Sequence, residues 1–209
     1  VHPDDAMARA SGYPRGKEEA WYVLSAEPGA VIGAGFAQDL TPDELRAAAL
    51  DGSIETLMTW HPVGPGHFFH VPAGTVHAIG AGLALVEIQQ NVDLTYRLYD
   101  YGRPRPLHLD EGIAAAVAAP FRPAAIRRTG RAHEVLAESD KFEIVRLTHG
   151  AEHRVVASAA APAWLIPIES GCASGDVDLP PGTVWLADAP ADIEMAPGAT
   201  MLVARSAAI

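Results

Sequence analysis

Residues 66–77 read GHFFHVPAGTVH, a spacing of Gly, five residues, Pro, one residue, Gly, two residues, His. Phe68, Phe69 and Val71 are strand formers. Pro72 removes a backbone donor and ends the ladder, and Gly74 permits a turn conformation closed to bulkier residues. The string predicts a strand entering a rigid corner, with His77 opening the returning strand and its imidazole directed into a small β-barrel. The return strand, GLALVEIQQ over 82–90, is an apolar run broken by a single carboxylate, Glu87. An acid in such a run needs a partner.

Taken alone, His77 reads equally well as a half-buried histidine bonded to backbone, because a motif match is only a hypothesis. Two further segments add to it. The chain opens Val1-His2-Pro3-Asp4-Asp5, and residues 17–24 read KEEAWYVL, where polar residues lead into an aromatic and aliphatic strand. Two histidine nitrogens and a glutamate oxygen form a borderline-hard donor set. Such a set suits zinc or a similar divalent ion with one position left for water or substrate.

The strings VHPDD, KEEAWYVL, FFHVPAGTVHAIG and EIQQNVDLTYRLYDYGRPRPLHL occur in this order and cover most of the first half of the chain. On them the chain resembles the type I mannose-6-phosphate isomerases of the cupin superfamily. The resemblance implies a mainly β fold of two cupin (jelly-roll) β-barrel domains with a short helical insertion and a helical linker. It makes His2, Glu19 and His77 ligands of one zinc or other divalent ion. The family's fourth ligand, a Gln two positions before the first His, would precede Val1, so strands upstream of this sequence are expected to help close the barrel.

Composition sets outer limits. The chain has 209 residues and is 49% hydrophobic, with 19 Gly and 17 Pro, which favours strands and turns over helical bundles. No apolar run approaches the roughly 18–20 residues of a membrane span. Cys172 is the single cysteine, so no internal disulfide can form and the cytoplasm is the expected compartment. A formal charge of −11 with no opposing basic run argues against nucleic acid as a partner. A phosphorylated sugar is also an anion, and Lys17, Arg97 and Arg103 could give it a local cationic pocket.

Thr41-Pro42-Asp43-Glu44-Leu45 predicts a helix with Thr41 as N-cap, Pro42 at the first helical position and Gly52 near its end. A second helical element is expected from Leu109 to Val117, then an extended basic stretch over 121–131. From Phe142 onward short strands alternate with Gly, Pro and Asp turns. A weak repeat appears at an offset of 116, which lays Gly66 on Gly182, Gly82 on Gly198 and His77 on Ile193. The domain reading is therefore a metal-binding cupin over 1–110, a helical and basic linker over 111–141, and a degenerate cupin without metal over 142–209.

His61, His67, His70, His108, His133, His149 and His153 are scattered and read as surface or supporting residues; His67 and His70 point to opposite faces of one strand. Trp60, Trp164 and Trp185 read as core. Tyr96, Tyr99 and Tyr101 near Arg97 read as pocket lining or as packing. Lys17 stands out, because only two of the 15 basic residues are lysines and a compact ammonium can donate to a sugar oxygen or shift its proton affinity.

The reaction implied by the resemblance is interconversion of mannose 6-phosphate and fructose 6-phosphate through an enediolate. Arg97 and Lys17 would stabilise developing negative charge, and Glu87 would carry the proton, because a carboxylate in an apolar strand can be raised toward neutrality. Asp93 would orient Arg97, and Arg103 would contact phosphate. Two alternatives stay open: a different metal-dependent cupin enzyme acting on another sugar, and a non-catalytic sugar-phosphate-binding cupin.

Overall fold

The computed structural model describes every residue except 124, 125, 129–131, 151, 208 and 209, and leaves the side chains of 127 and 128 aside. The chain divides into two compact units, Val1–Pro123 and Ala124–Ile209.

The first unit runs α1 (Asp5–Ala10), β1 (Glu19–Ala26), β2 (Val31–Phe36), α2 (Pro42–Asp51), α3 (Ile54–Leu57), β3 (Met58–Pro62), β4 (Phe68–Val71), β5 (His77–Ile79), β6 (Leu83–Gln89) and α4 (Leu109–Ala115). Its strands form two antiparallel sheets, ordered β4-β1-β6 and β3-β2-β5. Alternation sends Trp21 and Val23 of β1 inward, where they meet Phe69 and Val71 of β4 and Ile32 of the facing sheet in one core cluster. The two sheets are thus stacked through apolar side chains, each worth about 1.5–3 kcal/mol when fully buried.

The helices sit where their caps place them. Thr41 accepts from the Glu44 backbone while the Glu44 carboxylate accepts from the Thr41 backbone, a complete capping box. Gly52 ends α2 at φ 84°, a conformation that favours glycine. Helix α1, which the sequence reading passed over, is capped by Asp4, whose side chain accepts from Met7 N at 2.8 Å.

The second unit runs β7 (Arg127–Arg128), β8 (His133–Glu138), β9 (Phe142–Thr148), β10 (His153–Val155), β11 (Ala163–Pro167), β12 (Cys172–Ser174), β13 (Val177–Leu179), β14 (Trp185–Ala187), β15 (Ala191–Met195) and β16 (Thr200–Ser206). Its sheets are ordered β14-β11-β16-β9-β8-β7 and β10-β15-β12-β13. Within these, β14-β11-β16 repeats β4-β1-β6, and β13-β12-β15 repeats β3-β2-β5. The faint sequence repeat is therefore a repeat of topology, six strands paired in the same order. The four glycines that reveal it share a left-handed backbone, with φ of 82°, 75°, 78° and 86° at Gly66, Gly82, Gly182 and Gly198.

The mainly β class is as expected, with two stacked antiparallel sheets in each unit; among the described residues no strand ladder joins one sheet of a unit to the other. Residues 111–141 are shared between the units: the end of α4 lies in the first, β7 and β8 in the second. The basic stretch over 121–131 falls partly outside the described residues.

The reading of three tryptophans as core is corrected. Trp60 is half-buried, and Trp164 and Trp185 are 38% and 37% exposed. On β11 it is Ala163 and Leu165 that point to the core, which leaves Trp164 on the opposite face by strand alternation. Among the described residues no helix is long and apolar enough to cross a membrane.

Candidate metal centre

Glu19 opens β1, where it lies opposite Val71 of β4 and Gln89 of β6. That register turns it inward together with Trp21. His77 opens β5 in the facing sheet, opposite Ala34, directly after the Pro72–Gly74 corner. Gly74 has φ 84°, and its N–H donates to His2 O at 2.8 Å, so the same turn that delivers His77 also holds the segment bearing His2.

These placements bring three donors together. His2 Nε2 is 3.3 Å from Glu19 Oε2 and His77 Nε2 is 3.2 Å from Glu19 Oε1. One ligand atom from each residue lies within 4.8 Å of the others. The Nδ1 atoms face backbone carbonyls, His2 to Leu94 O and His77 to Thr75 O, each at 2.9 Å. A donating Nδ1–H fixes the tautomer that presents Nε2 as a lone pair.

Two imidazole nitrogens and a carboxylate thus converge on one point. Glu19 Oε2 is buried with no hydrogen-bond donor of proper geometry, the kind of orphan that calls for an explanation. The residues present fit a divalent cation held by two imidazoles and one carboxylate.

Lys17 borders this set, its ammonium 3.1 Å from Glu19 Oε2 and 3.3 Å from Glu87 Oε1. Glu87 lies opposite Trp21 on β6, so it shares the inward face with Glu19. Burial resists ionisation of Glu19, but His2, His77 and Lys17 outweigh it and hold the carboxyl well below the usual range. Burial pushes His77 down to about 3, leaving a neutral imidazole suited to ligation. Burial and the neighbouring Glu19 charge push Glu87 upward, with Lys17 pulling it back. Glu18, one residue from Glu19, points to the other face and bonds His70 at 2.8 Å, so Lys17 pairs with Glu19 and Glu87 rather than with Glu18.

A cleft of about 160 Å³ borders His77 and is lined by Arg97, Tyr99, Tyr101 and Glu55 among others. Arg97 is held by its own loop: its backbone N–H donates to His108 Nδ1 at 3.2 Å, and Nη1 donates to Pro106 O at 3.0 Å. Asp93 is exposed and makes no ion pair with Arg97 among the described residues, so its expected orienting role is replaced by the Pro106 carbonyl. Arg103 is 64% exposed on its side chain, 3.6 Å from Asp100 Oδ1 and 5.8 Å above the Tyr101 ring.

The sequence reading missed Asp100, buried and gripped by both Nε and Nη2 of Arg105. It also missed Trp21, whose ring meets His77 edge-on at 5.2 Å. An acid flanked by tyrosines in YDYGRPR, and an aromatic two residues after a ligand on one strand face, were the available signals.

No protein-family model matches the chain. A curated relative, mannose-6-phosphate isomerase of Streptococcus mutans, is 44% identical over 119 residues, covering 54% of this chain and 37% of the relative. The crystal structure of the mannose 6-phosphate isomerase from Bacillus subtilis superposes with a TM-score of 0.82 at 26% identity, covering 98% of this chain and 69% of that one. The resemblance to mannose-6-phosphate isomerases holds in sequence and in fold. A zinc-bound mannose 6-phosphate isomerase shares the fold alone, with a TM-score of 0.74 at 15% identity over 100% of this chain and 75% of its own. The chain spans little more than a third of the length of the curated mannose-6-phosphate isomerase it matches.

Proposed function

We propose that this chain carries the metal-binding and substrate-binding part of an isomerase interconverting mannose 6-phosphate and fructose 6-phosphate. One observation carries the reading: two Nε2 atoms and the Glu19 carboxylate converge beside Lys17 and next to a cleft lined by Arg97. The similarity to mannose-6-phosphate isomerases, one of them zinc-bound, supports it.

His2, Glu19 and His77 would hold one zinc or similar ion. Such an ion, when bound, polarises the carbonyl and hydroxyl oxygens of an open-chain sugar. Moving a carbonyl from C1 to C2 requires a proton to leave one carbon and return to the next. Glu87, which burial and the Glu19 charge push upward from its ordinary value, is the candidate for the group that takes and returns that proton. Lys17, hydrogen-bonding distance from that carboxylate, and Arg97 stabilise the negative charge that develops on the enediolate oxygens.

Arg103, exposed beside the cleft, meets the phosphoryl group as a planar cation. Asp93 has no part in this reading. A small sugar phosphate is the partner, and neither nucleic acid nor membrane is needed. The single, buried Cys172 agrees with a reducing, cytoplasmic setting.

The test is a coupled assay following fructose 6-phosphate formed from mannose 6-phosphate. Turnover that disappears on chelation and returns with zinc is the expected result. Undiminished turnover by the chelated protein would reject the metal-dependent mechanism. A zinc-loaded protein that turns over a different sugar phosphate in place of mannose 6-phosphate would transfer the reading to another substrate.

A further inference from the structure

Residues 100–103, Asp-Tyr-Gly-Arg, form a tight turn closed by Arg103 N donating to Asp100 O at 2.9 Å. Both central residues have positive φ, 55° at Tyr101 and 71° at Gly102. Turns of this kind are built from Gly, Asn and Asp. Among the described residues Tyr101 is the only non-glycine with positive φ, a conformation in which its Cβ crowds the following carbonyl. Such strain persists where surrounding contacts impose it, and it gathers at working sites.

Neighbouring side chains impose it. Asp100 is 6% exposed and receives two bonds from Arg105 and a weaker contact from Arg103, which cross-braces the turn. The Tyr101 ring leans on Tyr99 at 5.0 Å. Tyr99 is itself seated by Gly52, where an added Cβ would come within 3.0 Å of its hydroxyl. Over the Tyr101 ring lies the Arg103 guanidinium at 5.8 Å.

Tyr101 gives little back to folding, since it is 49% exposed. What it does is wall the cleft that also holds Arg97 and His77. We propose that Tyr101 is a specificity-determining residue: an aromatic wall at the cleft mouth that, with Arg103, recognises a polyol carrying a phosphoryl group. The inference rests on the isomerase reading for the identity of its ligand. The ring offers an apolar face to the C–H surface of a sugar and a hydroxyl to its oxygens. The arginine stacked on it supplies the charge that a phosphoryl needs.

Tyr101→Gly and Tyr101→Phe test it. Glycine accepts φ 55° without strain, so Tyr101→Gly should melt at or above the wild-type temperature and keep its zinc. Its KM for mannose 6-phosphate, and its calorimetric Kd for the same ligand, should nevertheless rise about tenfold or more, with kcat within about threefold, the pattern of lost substrate binding. Tyr101→Phe should fall between the two. A Gly variant with unchanged KM and Kd, whatever its melting temperature, overturns the proposal. If the wild-type protein binds mannose 6-phosphate without converting it, the isomerase reading falls and the Kd comparison still decides Tyr101. If it binds no mannose 6-phosphate at all, the Tyr101 proposal falls as well.

Discussion

Glu19→Gln separates the metal role of the buried carboxylate from any structural one. The substitution keeps volume and leaves Lys17 paired with Glu87 at 3.3 Å. It removes a carboxylate whose pairing with His2, His77 and Lys17 outweighs its burial, so the zinc-free variant should melt below wild type at pH 7. Zinc should then tell them apart. At a free concentration 100 times Kd, zinc stabilises wild type by about 2.7 kcal/mol. For a unit the size of Val1–Pro123, at roughly 4 °C per kcal/mol, that is a rise of about 10 °C in melting temperature. Loss of the charged ligand should weaken zinc by at least about 100-fold. At the same zinc concentration the variant then gains only about 0.4 kcal/mol, or roughly 2 °C. Calorimetry after dialysis against a chelator, with and without zinc, reads both numbers. A zinc-induced rise of equal size in the two proteins, or none in wild type, would refute the assignment of Glu19 as a ligand.

Arg97→Ala should lower turnover of mannose 6-phosphate by about 10² to 10³ fold with zinc content intact, the usual effect of losing a charge contact made in the transition state; steady-state kinetics with metal analysis checks it. Thr41→Ala removes the α2 capping box and should cost about 1 kcal/mol in a denaturant titration, leaving zinc affinity unchanged. Asp100 is held below the usual carboxylate range by its bonds from Arg105, and by Arg103 and Arg97. A depressed folded-state pKa gives stability that is fully present above the unfolded value near 4 and is lost as pH falls through the folded one. Asp100→Asn should therefore melt lower than wild type at pH 7, with the difference shrinking below about pH 4.

The motif positions were legible because each has a local cause. Pro72 and Gly74 define a corner, and a corner fixes where His77 starts; Thr41, Pro42 and Gly52 define a helix in the same way. The convergence of His2, Glu19 and His77 was legible only through family resemblance, since no local rule brings residue 2 to residue 77. What escaped was tertiary. Lys17 could pair with Glu18, Glu19 or Glu87 on paper, and only the alternation of β1 and its register with β6 select the last two. Asp93 lies four residues from Arg97 in sequence, but the 94–108 loop folds so that Pro106 offers the acceptor. The outward tryptophans, Trp164 and Trp185, escaped because hydrophobicity alone does not say which face of a strand is covered.

The two units show how little of a scaffold a metal site requires. Glu19 stands on β1 opposite Val71 and Gln89; Ala163 stands on β11 opposite Ala187 and Arg205. The pairs Val71–Ala187 and Gln89–Arg205 each differ by the offset of 116 that the repeated glycines gave, so Ala163 takes the place of Glu19. The same offset puts Ile193 in the place of His77. Ala163 and Ile193 are buried at 0% and 3% exposure in one apolar cluster with Leu165, Val155 and Leu179. At Glu19 the carboxylate has Lys17, His2 and His77 beside it, and a buried charge without such partners is far too costly to keep. The paired strands and left-handed glycine turns can therefore be filled in either of two self-consistent ways. In one, polar groups converge in a set that suits a cation; in the other, Ala163 and Ile193 join an apolar cluster.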